Sequence, residues 1–447
     1  MHPAEAIHQR APTEEHAPSG ARALGGIATG LLLITYLAVS DDVFAPLLTM
    51  VHEHHWTMLV VRPTVLWAAM ATTMLAVRSV LWIRYRPDAP ADPASAPPLT
   101  VVIPAFNEGK MVRRAIESVV AALYPPGRLQ IIAVDDGSTD STWEHIEAAA
   151  ARHPELVTAL RLKENRGKRA ALAEGFVRAT GEVVVTMDSD SVIDRHALLS
   201  IVGPFRRPRV GAVAGKVAVL NREEGIIPRM LAIRFLLTFD MMRAVQSTYG
   251  TVYCCPGALT AYRTDVVRRV LDRWTNQTFL GAPCTIGEDR AMTNLVFREG
   301  FDAVYQRTAV VSTVVPTTYG QLCRMFLRWD RSHVREEIGY IALLGHRPWV
   351  SRIVSTIDTL VNNLRYPVAW ASLGTLLVLS PTHPLVLVRL AFAIGFFAGL
   401  NMLYCLHSER SLQVLYGILF AYFSFVALFW IFPYAIVTVR ARGWLTR

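Results

Sequence analysis

The chain has 447 residues, 52% of them hydrophobic and only 18% charged, with a formal net charge of +9. That balance points to a membrane protein with a soluble part, long enough for more than one domain. The positive charge suits an anionic membrane face or a phosphorylated substrate, and no basic run or aromatic-basic interleaving marks the chain for nucleic acid.

Residues 1–22 are rich in Ala, Glu, His and Pro and read as a disordered cytosolic tail. Residues 23–84 hold two apolar segments, from Leu24 to about Val39 and from about Leu59 to Trp82, each near the length that spans a bilayer. Arg22 and Arg84 flank their outer ends, which puts both ends in the cytoplasm. Between them His52, His54 and His55 crowd together, but without a carboxylate-histidine helix motif the stretch reads as a solvated loop. Tyr85 to Pro98 is a Pro/Ala linker and a domain boundary.

From residue 99 the pattern changes to alternating strand and helix. TVVIPAFNE is a strand, a helix follows from about Lys110 to Leu123, and QIIAVDDGS is the next strand. A second round follows: a helix from about Ser141 to Arg152, a strand from Val157 to Leu162, and a helix opened by NRGKRAALAEGF. Such units wind right-handed onto a parallel sheet. The central strand is Val183 to Val185, three β-branched residues with the look of burial on both faces. Asp188 and Asp190 close it. With a side-chain period of two, both carboxylates leave one face, where their repulsion invites a cation. Hard carboxylate oxygens suit Mg2+ or Mn2+, ions that commonly arrive with substrate phosphates. A solvated Asp-Ser-Asp turn is the plainer reading of such a pair taken alone. Against it, Asn107, Asp135, Asp136, Asp188 and Asp190 all fall at the carboxyl ends of strands, the edge where α/β sheets bind nucleotides.

Further on, GAVAGKVAVLN is another strand. Ile226 to Met242 is apolar but carries Arg229, Arg234 and Asp240, as an amphipathic helix at a membrane surface or against the core would. GEDRAMTNLVFREG starts a helix with Glu288 and Asp289 in its first turn, ordinary partners of a helix dipole. Arg324, Arg328, Arg331 and Arg335 form one basic helical stripe, which by composition faces solvent or lipid headgroups. Residues 317–365 therefore read as amphipathic, interfacial helices, and 366–447 as about three closing membrane segments, the last interrupted at Pro433. An odd count would place Arg440, Arg442 and Arg447 outside, against the positive-inside rule. Cys254, Cys255, Cys284, Cys323 and Cys405 are odd in number and lack zinc spacing, so reduced, buried thiols are expected.

Taken together and in order, IPAFNE, VDDGS, NRGKR, DSD, GEDR and a terminal RW resemble the processive family 2 glycosyltransferases. AVQSTYG and DRWTNQTFLGAPCTIGEDRAMTN are similar to bacterial-type hyaluronan synthases. The GEDR form, the ending WLTR and the three closing segments also resemble rhizobial chitin-oligosaccharide synthases. The resemblance implies an α/β GT-A domain (Rossmann-like, residues 99–316) in the cytosol, set between transmembrane helices of a multi-pass protein of the plasma (inner) membrane. It implies inverting transfer from UDP-sugars and export of a growing polysaccharide. A hyaluronan synthase-like enzyme using UDP-GlcNAc and UDP-GlcA comes first. Synthesis of chitin oligosaccharide or poly-GlcNAc from UDP-GlcNAc alone is the alternative, followed by a non-processive lipid glycosyltransferase or an inactive homologue.

The resemblance also assigns residues. Asp289 is the base that takes the acceptor hydroxyl proton, with Glu288 secondary. Asp188 and Asp190 hold the metal ion. Asn107, Glu108, Asp135, Asp136, Lys168, Asp188 and Arg328 bind the UDP-sugar; Cys255, Gly257 and Trp329 sit by the acceptor. One departure stands out. Counting back three from Arg328 gives Met325 where the family's Q-x-x-R-W motif has Gln, and Gln321 lies one helical turn earlier.

Overall fold

The computed structural model of the chain describes residues 58–382, 384–409 and 411–441. The tail, the segment 24–39 and the loop with His52, His54 and His55 lie outside the described residues, as do Arg442 and Arg447. The described chain opens on helix α1 (Met58–Arg84). Strand and helix then alternate through β1 (Leu99–Ala105), α2 (Met111–Val120), β2 (Leu129–Asp135), α3 (Thr142–Arg152), β3 (Val157–Arg161), α4 (Lys168–Arg178) and β4 (Val183–Thr186). Next come β5 (Ser191–Ile193), α5 (Ala197–Val202), β6 (Val210–Val219), α6 (Ile226–Phe235), α7 (Met242–Thr248), β7 (Thr260–Arg263) and α8 (Thr264–Thr275). A short hairpin of β8 (Thr278–Phe279) and β9 (Ala282–Pro283) leads to α9 (Glu288–Arg298) and β10 (Asp302–Thr313). The helices α10 (Tyr319–Leu343), α11 (Trp349–Leu379), α12 (Leu385–Glu409), α13 (Leu415–Phe423) and α14 (Ile431–Val437) complete it.

Eight strands form one mixed sheet in the order β3-β2-β1-β4-β7-β6-β10-β5. β1 runs parallel to β2 and β4, as the repeated βαβ pattern predicts. β7 enters antiparallel between β4 and β6, and β5 is antiparallel to β10. Both faces are covered. Along β1, Val101 and Ile103 belong to one core cluster and Val102 to the other. Val183 and Val185 of β4 likewise part from Val184. A strand sealed on both sides cannot alternate polar and apolar residues, hence the unbroken valines.

Residues 85–98 are a strap rather than a free tether. The Tyr85 hydroxyl donates to the Tyr305 carbonyl at 2.9 Å, and the Gln306 amide donates to the Asp88 carbonyl at 2.7 Å. Residues 226–242 fold against the core, α6 running into a π-helical turn, Leu236–Met241. There burial works against the Asp240 charge, but Lys216 and Arg307 outweigh it and hold the carboxyl low; the Arg307 Nε donates at 2.7 Å.

The arginine stripe is corrected by the structure, because tertiary packing covers half of it. Arg331 and Arg335 are buried. Arg331 donates to Thr438 Oγ1 at 2.9 Å, while Arg335 bonds Glu336 and the Ile286 carbonyl. The amphipathic stretch 351–366 and the apolar one after it are a single 31-residue helix, α11, which runs through Pro367. The last segment bends by 46° between Leu428 and Ile431, so the break precedes Pro433. Proline lacks the N–H an interior helical turn needs, but a first turn does not use it. Among the described residues α1 is the helix long and apolar enough to cross a membrane, joined by the bent pair Leu412–Leu428 and Ile431–Val437 if these count as one span. Its Arg78 pairs with Asp358 of α11, and Trp67 Nε1 donates to the Val361 carbonyl at 3.0 Å.

Candidate active site

The carboxyl ends of β1, β2 and β4 open on one cavity of about 570 Å³. Their loops are fastened to one another by side chain to backbone bonds. Asp135 ends β2 fully buried; its carboxylate accepts from Ser138 N at 3.1 Å and meets Arg161 Nε at 3.3 Å, so it shapes the turn from below the cavity. The next carboxylate, Asp136, lines the cavity and accepts from Arg166 N and Gly167 N, each at 2.8 Å. Burial nonetheless pushes its pKa up. Asn107 has φ 53, a left-handed conformation that Asn tolerates better than most residues. Its Oδ1 accepts from Thr139 N at 2.9 Å. Glu108 N donates to Thr142 Oγ1 at 2.8 Å. Asn107 and Glu108 both line the cavity.

Asp188 and Asp190 stand on the wall of this same cavity. Asp190 Oδ1 accepts from Thr313 Oγ1 at 3.0 Å and Ser191 Oγ at 3.2 Å. Asp188 Oδ1 receives Lys168 Nζ at 2.6 Å. The same ammonium lies 3.0 Å from Glu288 Oε1. Lys168 thus bridges the acidic pair after β4 and the start of α9, two places 100 residues apart in sequence (288 − 188). Burial opposes its charge, but the two carboxylates outweigh that and raise its pKa. Gly257 completes the contact: a Cβ there would stand 2.8 Å from Lys168 Nζ and 3.4 Å from Asp188 Oδ1.

At the start of α9 two neighbouring carboxylates diverge. Burial pushes Glu288 up, yet Lys168 overrides it and holds the group at about 2. For Asp289 the pull of Lys168 does not outweigh the opposing causes. Burial, then the Glu288 charge, raise its pKa. Half-buried, it accepts from Arg290 N at 2.7 Å and lies 3.8 Å from Cys254 Sγ. Cys255, in contrast, is buried in the core, its N–H bonded to Thr293 Oγ1 at 3.2 Å. All five cysteines are free.

Part of the wall belongs to α10, whose Gln321, Arg324, Met325 and Arg328 line the cavity at helical spacing. Gln321 also closes a capping box with Thr318. Trp329 turns aside, half-buried, to Phe326, Phe235 and Phe239 at ring-centroid distances of 5.6, 6.3 and 6.2 Å. Residue-by-residue reasoning missed Arg324 as a cavity residue, although its four-residue spacing from Arg328 was the available signal. Asn221 and Glu224, also on the cavity wall, carried no signal, because only the folded chain brings them here.

The donor set suits a divalent ion of a particular kind. Among the described residues no group of three or more His, Cys, Asp or Glu could cage a metal. Two hard carboxylates on a wall facing arginines fit an ion that takes its other ligands from water and substrate phosphates.

The sequence profile described as Glycosyl transferase family 2 matches residues 100–271. The N-acetylglucosaminyltransferase of Azorhizobium caulinodans is 30% identical over 360 residues, covering 78% of this chain and 87% of that relative. The hyaluronan synthase of Streptococcus pyogenes is 33% identical over 363 residues, covering 78% and 83%. Among solved structures, the mannosyltransferase PcManGT from Pyrobaculum calidifontis, in complex with GDP-Man and Mn2+, shares the fold. Its TM-score is 0.58 at 20% identity, over 81% of this chain and 99% of that one.

Proposed function

The chain belongs to glycosyltransferase family 2, with the GT-A fold, and we propose that it is a membrane-embedded, processive, inverting enzyme that lengthens a saccharide from UDP-sugar donors. The observation that carries this reading is the Lys168 bridge, 2.6 Å from Asp188 and 3.0 Å from Glu288. A donor held by the sheet edge and an acceptor beside Asp289 would then be within one side chain of each other. Asp136, Asn107 and Glu108 are suited to the nucleoside, where carboxylate and amide oxygens can accept the base N–H and ribose hydroxyls. Arg328 can clamp an oxyanion through two N–H groups. Asp188 and Asp190 are the residues that would hold Mg2+ or Mn2+, and such an ion, when bound, disperses the charge of a departing diphosphate.

The acceptor hydroxyl is too weak an acid to attack unaided. Asp289, with its raised pKa, is suited to take that proton as the new C–O bond forms and the bond to UDP breaks. Attack from the face opposite UDP inverts the anomeric carbon. The apolar exposed side chains of α1 and α11, among them Leu59, Leu66, Trp349 and Ile353, support a bilayer around the helices rather than water. Donors UDP-GlcNAc and UDP-GlcA, giving a hyaluronan-like chain, are the first reading. The match to an N-acetylglucosaminyltransferase favours a second, with UDP-GlcNAc as sole donor.

The test is purified protein in detergent with Mn2+ and radiolabelled UDP-sugars. A long product that needs both donors and yields to hyaluronidase is expected. A chitinase-sensitive product from UDP-GlcNAc alone selects the second reading, a single sugar on lipid removes processivity, and absence of UDP release overturns the enzyme assignment.

A further inference from the structure

The cations around the cavity differ in what they are already bound to. Lys168 is committed to Asp188 and Glu288. Farther along α10, Arg331 and Arg335 serve the fold, holding Thr438 and the Ile286 carbonyl. Arg324 stands on the cavity wall, exposed, and among the described residues it makes no hydrogen bond, ion pair or ring contact. It lies one helical turn before Arg328, on the same face, and lines the same cavity as Asp188 and Asp190. Beside it Met325, with no hydrogen-bond donor, occupies the wall, where the resemblance places an amide.

We propose that Arg324 is a second oxyanion-binding residue of the donor cavity, acting with Arg328 and supplying N–H donors that Met325 lacks. This rests on the glycosyltransferase reading above. The chemistry is a charge-assisted, forked contact to paired oxygens. In a nucleotide-sugar such oxygens come from the diphosphate or from the carboxylate of a uronic acid, both within the span of a cavity this size. Its place one turn from Arg328 lets the two forks grip adjacent oxygens of one ligand.

The experiment uses the full chain in detergent, with UDP plus Mn2+ as the binding probe and UDP-GlcNAc and UDP-GlcA as kinetic probes. Arg324→Gln and Arg324→Lys are compared with the parent, and thermal melting verifies the fold of each. If Arg324 meets the diphosphate, Arg324→Gln raises the Kd for UDP and the KM for both donors by about tenfold, the worth of one charge-assisted bond. Arg324→Lys then recovers part of the loss through charge alone. If it meets the carboxylate, the KM for UDP-GlcA rises and the UDP and UDP-GlcNAc values stay. Unchanged values for all three probes, in variants that melt as the parent does, overturn the proposal while leaving the enzyme reading intact. A parent protein that binds no UDP overturns the enzyme reading itself.

Discussion

Glu288 and Asp289 are consecutive carboxylates whose different roles follow from one ammonium. Lys168 keeps the first ionised, and the charge of the first makes the second harder to ionise. Asp289→Asn is expected to lower transfer by about 10²–10⁴-fold, the usual contribution of a positioned base, while UDP binding, measured by calorimetry, stays as in the parent. The pH–rate profile offers a separate check. If Asp289 is the proposed base it acts ionised, so activity should fall as pH drops through its raised pKa. In Glu288→Gln the repelling charge is gone and Lys168 still attracts, so Asp289 ionises at lower pH. The acid limb of kcat therefore moves to lower pH; a limb that stays put or moves up detaches Asp289 from the proton transfer.

At the scale of elements, two helices frame the chemistry. α9 begins at Gly287, with φ 75, and a Cβ there would run into the Ser332 side chain and stand 3.0 Å from Arg335 Nη2. Gly287→Ala should thus cost about 1–3 kcal/mol of backbone strain, read as a lower Tm, and should displace Asp289, read as a lower kcat. On α10, Met325→Gln places an amide on the cavity wall, and turnover is expected to be kept or raised; complete loss would mean that Met325 is held there by packing alone. These elements were legible in the chain to different depths. β1, β2 and β4 could be read because burial on both faces forces short apolar runs, and the acids follow at a fixed period. Asp136 and Asp188 were placed by that rule alone. The fate of the arginines was not readable, because an amphipathic period says which side chains share a face and not what covers it. Arg331 is buried by α14, more than 90 residues on, and no local pattern announces that. The strap 85–98 escaped for the same reason: its composition is a linker's, but Tyr85 finds its partner at Tyr305.

At the scale of the whole molecule, the joint between α1 and α11 can be tested as a unit. Arg78 of α1 and Asp358 of α11 pair where both side chains are largely buried, at 14% and 6% exposure. Breaking a buried pair from one side leaves a charge without compensation and costs about 3–5 kcal/mol. Asp358→Ala should lower the Tm in detergent markedly, while Arg78→Met with Asp358→Leu should restore much of it. The order of loss on heating would then show whether the helices part before the sheet melts. A related consequence lies in α10. Its Arg324 lines the cavity, and seven residues on, about 10 Å along the axis, Arg331 donates to Thr438 just past α14. One helix therefore lines the cavity with an early turn and holds the residue after the last described helix with a middle one. If a nucleotide enters this cavity as proposed, any shift of α10 would carry to α14 through the Arg331–Thr438 contact.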